Sequence, residues 1–205
     1  TGRIEQPSPK LINSSLVIMA SRPRRCIGIV RETYNAWERR SPLTPNHVRG
    51  LVKSGVRVLV EPSFHRVFTD NEYAAVGAEI THDLAEASVI FGVKQIPEER
   101  LMKDKTYLFF SHTIKGQKEN MKLLDRALEL GIRLIDYECI TEGGMKGGRR
   151  LVAFGSFAGR AGMVNCFRGL GERLLGLGYS TPFLNVGSAY MYPDLDKAKR
   201  AVKRL

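Results

Sequence analysis

Short apolar runs alternate with helix-like stretches from residue 26 onward, and this alternation is the strongest constraint on the fold. The apolar runs read "CIGIV", "VRVLVE", "VIFGVK", "TYLFFSH" and "IRLIDYECI". The stretches between them include "TPNHVRGLVKSG", "DNEYAAVG", "EERLM" and "KENMKLLDRALELG". Strands that alternate with helices favour βαβ units around a parallel sheet covered on both faces. The sequence therefore predicts a three-layer, Rossmann-like α/β domain with a mostly parallel sheet.

Capping residues mark the ends of the predicted helices. We expect Thr44 to cap the first helix, Pro45 to be its first residue and Gly55 to follow its end. Asp70 and Gly77 would begin and end the second. These signals make the early helices short.

The stretch before the fifth strand predicts an amphipathic helix. Its apolar face would carry Met121, Leu124, Leu128 and Leu130, and Gly131 would end it. After the fifth strand, "TEGGMKGGRRL" is typical of a flexible hairpin, and "FAGRAGMVNCFRGLGERLLGLG" predicts a long helix broken by glycines.

The segment "GLGERL" is not a dinucleotide fingerprint. Leu174 stands where its third glycine would be, and the segment lies inside a helix instead of between a strand and a helix. Its glycines are better explained by close packing against another element.

Composition excludes some classes of protein. The 205 residues carry a formal charge of +11, but the basic residues are scattered, which disfavours nucleic-acid binding. No apolar stretch is long enough for a transmembrane helix, and no His or Cys spacing predicts a metal site. The three cysteines, Cys26, Cys139 and Cys166, stand in apolar stretches and are expected to be buried thiols in a reducing compartment.

The chain divides into three predicted parts. Residues 1–25 are Ser-rich and Arg-bearing, which is typical of an organelle-targeting leader or a disordered tail. Residues 26–185 would form the domain described above. Residues 186–205 end within a helical pattern, "DLDKAKRAVKRL", and would begin a connection to a further domain. We expect the chain to be a fragment of a longer protein.

Ionisable residues follow several of the predicted strands. Lys94 ends the third apolar run, His112 ends the fourth, Glu138 lies near the end of the fifth, and Arg39 and Arg40 lie in the loop after the first. Each has a structural alternative: a strand-end lysine, a structural histidine, a helix-capping carboxylate or a solvated arginine pair. Because ligands of parallel α/β sheets bind at the carboxyl ends of the strands, the joint pattern predicts a polar pocket.

The residue types indicate acid–base chemistry on an anionic substrate. A lysine and a histidine near each other lower each other's pKa, so Lys94 and His112 could exchange protons near neutral pH. Arg40 offers a planar fork for a carboxylate. Such a set suits amine and keto-acid chemistry.

Six segments carry a resemblance to a known family. They are "RETYNAWERRSPLTP", "FGVKQIPEE", "KTYLFFSHTIKGQKENMKLLD", "RLIDYE", "LVAFGSFAGRAGM" and "LGYSTPF", and they cover most of residues 27–192. The chain resembles the lysine–2-oxoglutarate reductases, the saccharopine-forming part of bifunctional aminoadipic semialdehyde synthases. A looser frame is shared with alanine dehydrogenase and the transhydrogenase N-terminal domain.

The resemblance implies a function and roles for the residues. The family condenses L-lysine with 2-oxoglutarate, using NADPH, in lysine degradation. Lys94 and His112 would be catalytic, and Arg40, Arg39 and Glu138 would bind substrate. The NADP(H) would be held mainly by a domain that follows residue 205, so the fragment would be inactive alone. The resemblance also implies a mitochondrial protein, with the cytoplasm as the alternative, and a homo-oligomer when full length.

One position departs from the related fungal saccharopine dehydrogenases, in which a glutamate follows the catalytic lysine. Here that residue is Gln95. If the glutamate tunes neighbouring pKa values, the tuning must differ here or depend more on Glu138. Two alternatives stay open: an alanine-dehydrogenase-like enzyme with a smaller substrate, and a non-catalytic module that binds an amino acid or keto acid.

Overall fold

The computed structural model describes residues 25–144 and 147–205. The leader prediction for residues 1–25 therefore lies, except for Arg25, outside the described residues. Contacts divide the chain into two compact units, one that ends at Asp136 and one that spans Tyr137–Leu205. The predicted boundary at residue 185 differs from this division. The assignment of residues 26–185 to a substrate-binding domain and of residues 186–205 to a connection stays a prediction.

The first unit contains a six-stranded, fully parallel sheet in the order β3-β2-β1-β4-β5-β6. This confirms the predicted fold class. The order reverses between β1 and β4, and in doubly wound sheets a ligand crevice opens beyond the strand ends at such a point. The strands are β1 Cys26–Ile29, β2 Arg57–Val60, β3 Glu79–Ile80, β4 Val89–Phe91, β5 Thr106–Phe109 and β6 Arg133–Asp136.

Five α-helices occur among the described residues, three in the first unit and two in the second. They are α1 Pro45–Lys53, α2 Asp70–Ala74, α3 Met121–Glu129, α4 Gly155–Gly176 and α5 Leu195–Val202. Short 3₁₀ turns occur among others at Glu98–Arg100, Lys118–Asn120 and Tyr137–Cys139.

Alternate residues of the strands pack into two separate apolar clusters. Ile29, Val58 and Val60 pack with α1 and α2 on one face, while Leu59 and Ile90 belong to the other cluster. Because side chains of a strand alternate between faces, two clusters mean that both faces of the sheet are covered. The second cluster takes in Leu123 of α3. The sheet with helices on both sides is the predicted three-layer arrangement.

One local prediction in the first unit is wrong, and one strand was not predicted. The side chain of Thr69, not Asp70, caps α2 by accepting a hydrogen bond from the amide of Glu72, because the helix begins one residue later than its cap. The strand β3 was not predicted, since its two residues are too few to give a pattern.

The buried face of α3 also differs from the prediction. Leu123 and Ala127 are buried, whereas Leu128 is 73% exposed. Residues 123 and 127 are four apart and share one helix face. Leu128 follows Ala127 in the sequence, so its side chain points to a different side of the helix. Because Leu128 is apolar, it was included in the predicted buried face.

In the second unit, α4 is a continuous helix of 22 residues and is not broken by its glycines. The predicted helix "DLDKAKRAVKRL" is α5, capped by Asp194, and α4 and α5 share an apolar cluster around Val164, Val186 and Ala198. The hairpin prediction is supported by a single antiparallel bridge between Thr141 and Arg150. Met145 and Lys146 lie outside the described residues.

The cysteines do not all behave as expected. Cys26 is buried in the sheet, but Cys139 and Cys166 are exposed. Cys166 lies on α4, and Cys139 lies in the 3₁₀ turn after β6. An apolar neighbourhood in sequence did not place these two side chains in a core, because both lie outside the sheet.

The packing of Gly171 gives a test of the second unit. A Cβ atom there would lie 2.8 Å from the backbone nitrogen of Leu184, which cannot move aside cheaply. We expect Gly171→Ala to lower the free energy of unfolding of this unit by about 2 kcal/mol.

The matched control is Gly169→Ala, at a position of the same helix where a Cβ would meet nothing within 4 Å. It should leave stability unchanged or raise it by up to about 1 kcal/mol through helix propensity. Denaturant unfolding followed by circular dichroism and by hydrogen exchange of α4 amides measures both variants. Equal stability of the two would contradict the close contact.

Candidate active site

The loops after β1 and β4 are joined by the half-buried carboxylate of Glu32. Glu32 accepts hydrogen bonds from the backbone amides of Val93, at 2.6 Å, and Lys94, at 3.0 Å. The contact lies beyond the carboxyl ends of the two strands where the sheet order reverses. It therefore fixes the backbone of Lys94 at the predicted ligand crevice.

The environment of Glu32 shifts its proton affinity. Burial raises the pKa of the Glu32 carboxyl above its ordinary value, and the amides of Val93 and Lys94 oppose the shift without cancelling it. Backbone amides offer only partial charges, which explains why they compensate burial incompletely.

A second carboxylate in the same loop pairs with an arginine. Arg40 donates to Glu38 through Nε at 2.8 Å and through Nη2 at 2.7 Å, and its backbone amide donates to Oε1 at 3.1 Å. The side chain of Glu38 is 6% exposed and that of Arg40 is 44% exposed. This is the forked geometry in which a guanidinium binds a carboxylate most strongly.

The pKa of Glu38 is shifted in the opposite direction to that of Glu32. Burial raises its pKa, but the hydrogen bonds and charge of Arg40, with a further contribution from the charge of Lys94, hold the pKa below its ordinary value. Glu38 also raises the pKa of Arg40 by the same hydrogen bonds. The ion pair therefore stays charged in the crevice.

Lys94 is half-buried and lies against an aromatic ring. Its Nζ atom is 5.4 Å from the ring centroid of Tyr34, within the range of a cation–π contact. The structure thus brings together Lys94, Arg40 and the two glutamates of the β1 loop. Of these, the sequence analysis had named Lys94 and Arg40.

The backbone around His112 is tied to the loop that carries Lys94. The amide of Phe110 donates to the carbonyl of Val93 at 3.0 Å, which continues the β4–β5 pairing past the strand ends. The side chain of Gln95 donates to the carbonyl of Ser111 at 2.5 Å. His112 has a φ of 55° and its ring stacks on Phe110 with centroids 6.2 Å apart. Lys94 and His112 therefore lie on adjacent, joined loops.

A cavity of about 420 Å³ opens beside these loops. Its lining includes Tyr34, Gln95, Pro97, Asn120 and Leu123. The volume falls in the range of small-ligand sites. The cavity is next to the Tyr34–Lys94 contact, but Lys94, Arg40 and His112 are not among its lining residues.

Two other predicted site residues, Arg39 and Glu138, have partners outside this set of contacts. Arg39 is exposed, and its Nε donates to the carbonyl of His65 at 3.1 Å, so it joins two surface loops. Glu138 belongs to the second unit, where it pairs with Arg150 at 3.2 Å. Their roles in binding substrate stay predictions.

The sequence analysis missed Glu32, Glu38 and Tyr34, all within "RETYNAWERR". A signal was available, because Glu32 and Glu38 are the only acidic residues of that segment and both follow a buried strand. Asp136 was also missed. It is the buried acid at the end of β6, and it accepts a hydrogen bond from Ser111.

The part of the chain that the structure describes shows neither a metal-binding cluster nor a membrane-spanning helix. Residues 25–144 and 147–205 contain no cluster of three or more His, Cys, Asp and Glu side chains that could hold a metal ion. None of the helices within those ranges is both long and apolar enough to cross a bilayer.

The parallel sheet with a crevice at its switch point places the chain in the class of Rossmann-like α/β domains. Residues 28–161 match the family described as alanine dehydrogenase/PNT, N-terminal domain. The match covers more than half of the chain, and the chain belongs to this family.

Individual relatives extend the comparison. The chain is 51% identical over 173 residues to the mitochondrial alpha-aminoadipic semialdehyde synthase of Mus musculus, covering 84% of this chain and 18% of the relative. It is 37% identical over 131 residues to a saccharopine dehydrogenase [NAD(+), L-lysine-forming] of Emericella nidulans, covering 61% of this chain and 34% of the relative. A solved L-alanine dehydrogenase matches with a TM-score of 0.51 and 26% identity, over 59% of this chain and 34% of that one. The chain spans about a fifth of the length of the first of these relatives.

The Glu38–Arg40 pair predicts a pH-dependent contribution to stability. Because the pKa of folded Glu38 lies below its ordinary 4.5, the pair stabilises the fold above that pH and less as the pH falls through the folded pKa. Glu38→Gln should lower the free energy of unfolding by about 1 kcal/mol at pH 7, a modest figure because Arg40 is 44% exposed.

The difference between the wild type and Glu38→Gln should shrink below about pH 4.5. Urea unfolding at several pH values measures it. Glu99→Gln, at an exposed position in the Glu98–Arg100 turn, serves as the control and should change little at any pH. A constant difference from pH 7 to pH 4 would contradict the assignment.

Proposed function

We propose that this chain is the substrate-binding part of an oxidoreductase of lysine degradation, which condenses L-lysine with 2-oxoglutarate to form saccharopine using NADPH. The observation that carries the proposal is the cluster in which Lys94 lies at the switch-point crevice beside Tyr34 and the Glu38–Arg40 pair. The names of the similar mouse and Emericella proteins, an aminoadipic semialdehyde synthase and a saccharopine dehydrogenase, support the substrate class.

In this proposal the basic groups bind and orient an acidic substrate. Arg40 presents a half-exposed guanidinium to the crevice, and a keto-acid carboxylate would share it with Glu38. Glu38 holds the plane of the guanidinium, which reduces the freedom lost when a substrate binds. Arg39 and Glu138 would make further substrate contacts.

Lys94 and His112 would move protons. The ε-amino group of the lysine substrate must lose a proton before it attacks a ketone, and the departing hydroxyl must gain one. Two neighbouring bases on joined loops can supply both transfers. The Lys94 Nζ atom lies over the Tyr34 ring in cation–π geometry, so we assign Lys94 the acid role and His112 the base role in the first step.

A nicotinamide cofactor does not fit the described crevice as a primary site. The turn after β1, where a dinucleotide fold binds phosphate, here carries the carboxylate of Glu32, which accepts hydrogen bonds from the amides of Val93 and Lys94. A pyrophosphate would meet that carboxylate. We therefore propose that NADP(H) is bound mainly by residues outside these 205, and that these 205 alone do not catalyse the reduction.

We further propose a mitochondrial location, which the name of the mouse relative supports. We also propose a homo-oligomer for the longer protein. The similarity to a solved L-alanine dehydrogenase favours a second candidate, an enzyme of the same type acting on a smaller keto acid.

Ligand titration of the 205-residue chain separates these candidates. Two-dimensional NMR should show shifts at the amides of Arg40, Lys94 and His112 on addition of 2-oxoglutarate, and weaker shifts with pyruvate. Arg40→Lys should weaken binding of 2-oxoglutarate by roughly tenfold through loss of the fork, about 1.4 kcal/mol. Arg49→Lys, at an exposed position of α1, is the matched control and should leave binding unchanged. Stronger binding of pyruvate would favour the second candidate, and binding of neither would overturn both.

The proton-transfer roles are tested in a longer form of the protein that oxidises NADPH in the presence of lysine and 2-oxoglutarate. Lys94→Met and His112→Gln should each lower kcat by about a hundredfold, the usual size of an acid–base contribution. Circular dichroism should show an intact fold in both. Wild-type turnover and an unchanged pH profile in both variants would refute the assignment.

A further inference from the structure

Gln95 and Asn120 form a pair of interlocking side-chain amides next to His112. Gln95 Nε2 donates to Asn120 Oδ1 at 2.8 Å and to the carbonyl of Ser111 at 2.5 Å. Asn120 Nδ2 donates in turn to the carbonyl of His112 at 3.0 Å. Two consecutive carbonyls of the β5 loop are therefore held by two amides from other parts of the chain.

The segment that these amides hold is conformationally unfavourable. His112 has a φ of 55°, one of only two positive values among the non-glycine residues that the structure describes. A side chain with a Cβ atom avoids this left-handed region, so surrounding contacts must stabilise it. The carbonyls bound by Gln95 and Asn120 lie on either side of the φ rotation of His112.

We propose that Gln95 and Asn120 are positioning residues that hold His112 in its left-handed conformation and so aim its imidazole at the crevice. The proposal rests on the proposed role of His112 in proton transfer. The loop after β4, which carries Lys94, thereby also sets the geometry of the loop after β5. Both side chains also line the cavity of about 420 Å³, and the role we assign them is to position His112, not to contact the substrate.

The contacts of Gln95 require an amide, not a carboxylate, because its nitrogen donates both hydrogen bonds. A glutamate there could only accept hydrogen bonds, and its oxygens would face the carbonyl of Ser111 and Oδ1 of Asn120. Gln95→Glu would therefore break the contacts while nearly preserving side-chain volume. A bond to a buried carbonyl is then lost and replaced by repulsion between two acceptors.

We call the Gln95–Asn120 amide pair the clamp. Other polar contacts also fix the backbone segment that the clamp holds. Ser111 is fully buried, and its hydroxyl donates to Asp136 at the end of β6 and lies 2.9 Å from Oγ1 of Thr113. The loop is thus fixed on one side by the strand ends. The amide pair supplies the fixation on the other side.

The test uses NMR on the 205-residue chain, in which His112 is one of four histidines. His112→Asn identifies the ring signals, and asparagine tolerates the left-handed region. We expect Gln95→Glu and Asn120→Asp to shift and broaden the ring and backbone signals of His112. Hydrogen exchange of the Thr113 amide should rise by about tenfold or more, since local opening becomes easier.

Gln117→Glu is the matched control for charge. Gln117 accepts from Asn120 Nδ2 at 3.2 Å through Oε1, and a glutamate keeps that acceptor while adding the same charge as Gln95→Glu. This control should leave the exchange rate within about twofold of wild type. Gln95→Leu, which removes the donor without adding charge, should resemble Gln95→Glu.

The longer, active form provides a second readout. Gln95→Glu and Gln95→Leu should lower kcat by about tenfold or more with little change in KM, because misplacement of a reacting group acts on the transition state. If Gln95→Glu alone lowers kcat, the effect is one of charge and the clamp is refuted. Unchanged His112 signals in both Gln95 variants would also refute it. A failure of the proton-transfer role would appear separately, as retained turnover in His112→Gln.

Discussion

The contact between the Glu32 carboxylate and the amides of Val93 and Lys94 is the interaction on which the rest of the crevice depends. The strands β1 and β4 are neighbours in the sheet but far apart in sequence, and beyond their ends the backbone pairing stops. Glu32 replaces the missing ladder bonds by accepting from two successive amides. Without it, the amides of Val93 and Lys94 would lose their partner, and for the buried Val93 the cost is about 1–3 kcal/mol.

The same contact determines what surrounds Lys94. Glu32 fixes the backbone of Lys94, and the Lys94 side chain lies against Tyr34. Glu38 and Arg40 pair a few residues further along the β1 loop. One loop of the chain therefore supplies the aromatic surface, the guanidinium and both carboxylates. The adjacent loop supplies the lysine, and the next one the histidine, in the order of the strands.

Much of the fold could be predicted from the sequence, because apolar runs and helix caps are local signals. The Thr44–Pro45 helix start and the parallel sheet follow from such signals, and the structure confirms them. The pairing of Gln95 with Asn120 could not be predicted, since it joins side chains 25 residues apart whose approach depends on sheet order. The exposure of Leu128 was missed for the same reason. The face that a helix buries depends on its partner as well as on its own periodicity.

Lys94 and Arg40 could be predicted as site residues, whereas the two glutamates could not be assigned roles. A lysine or arginine after an apolar strand is conspicuous, but a carboxylate in the same loop has many ordinary uses. Glu32 and Glu38 differ in the groups that bind their carboxylates. Arg40 offers Glu38 a full positive charge and lowers its pKa, while amide dipoles offer Glu32 only part of one and leave its pKa raised. Two carboxylates of one loop therefore differ in proton affinity because one is compensated by a full charge and the other only by dipoles.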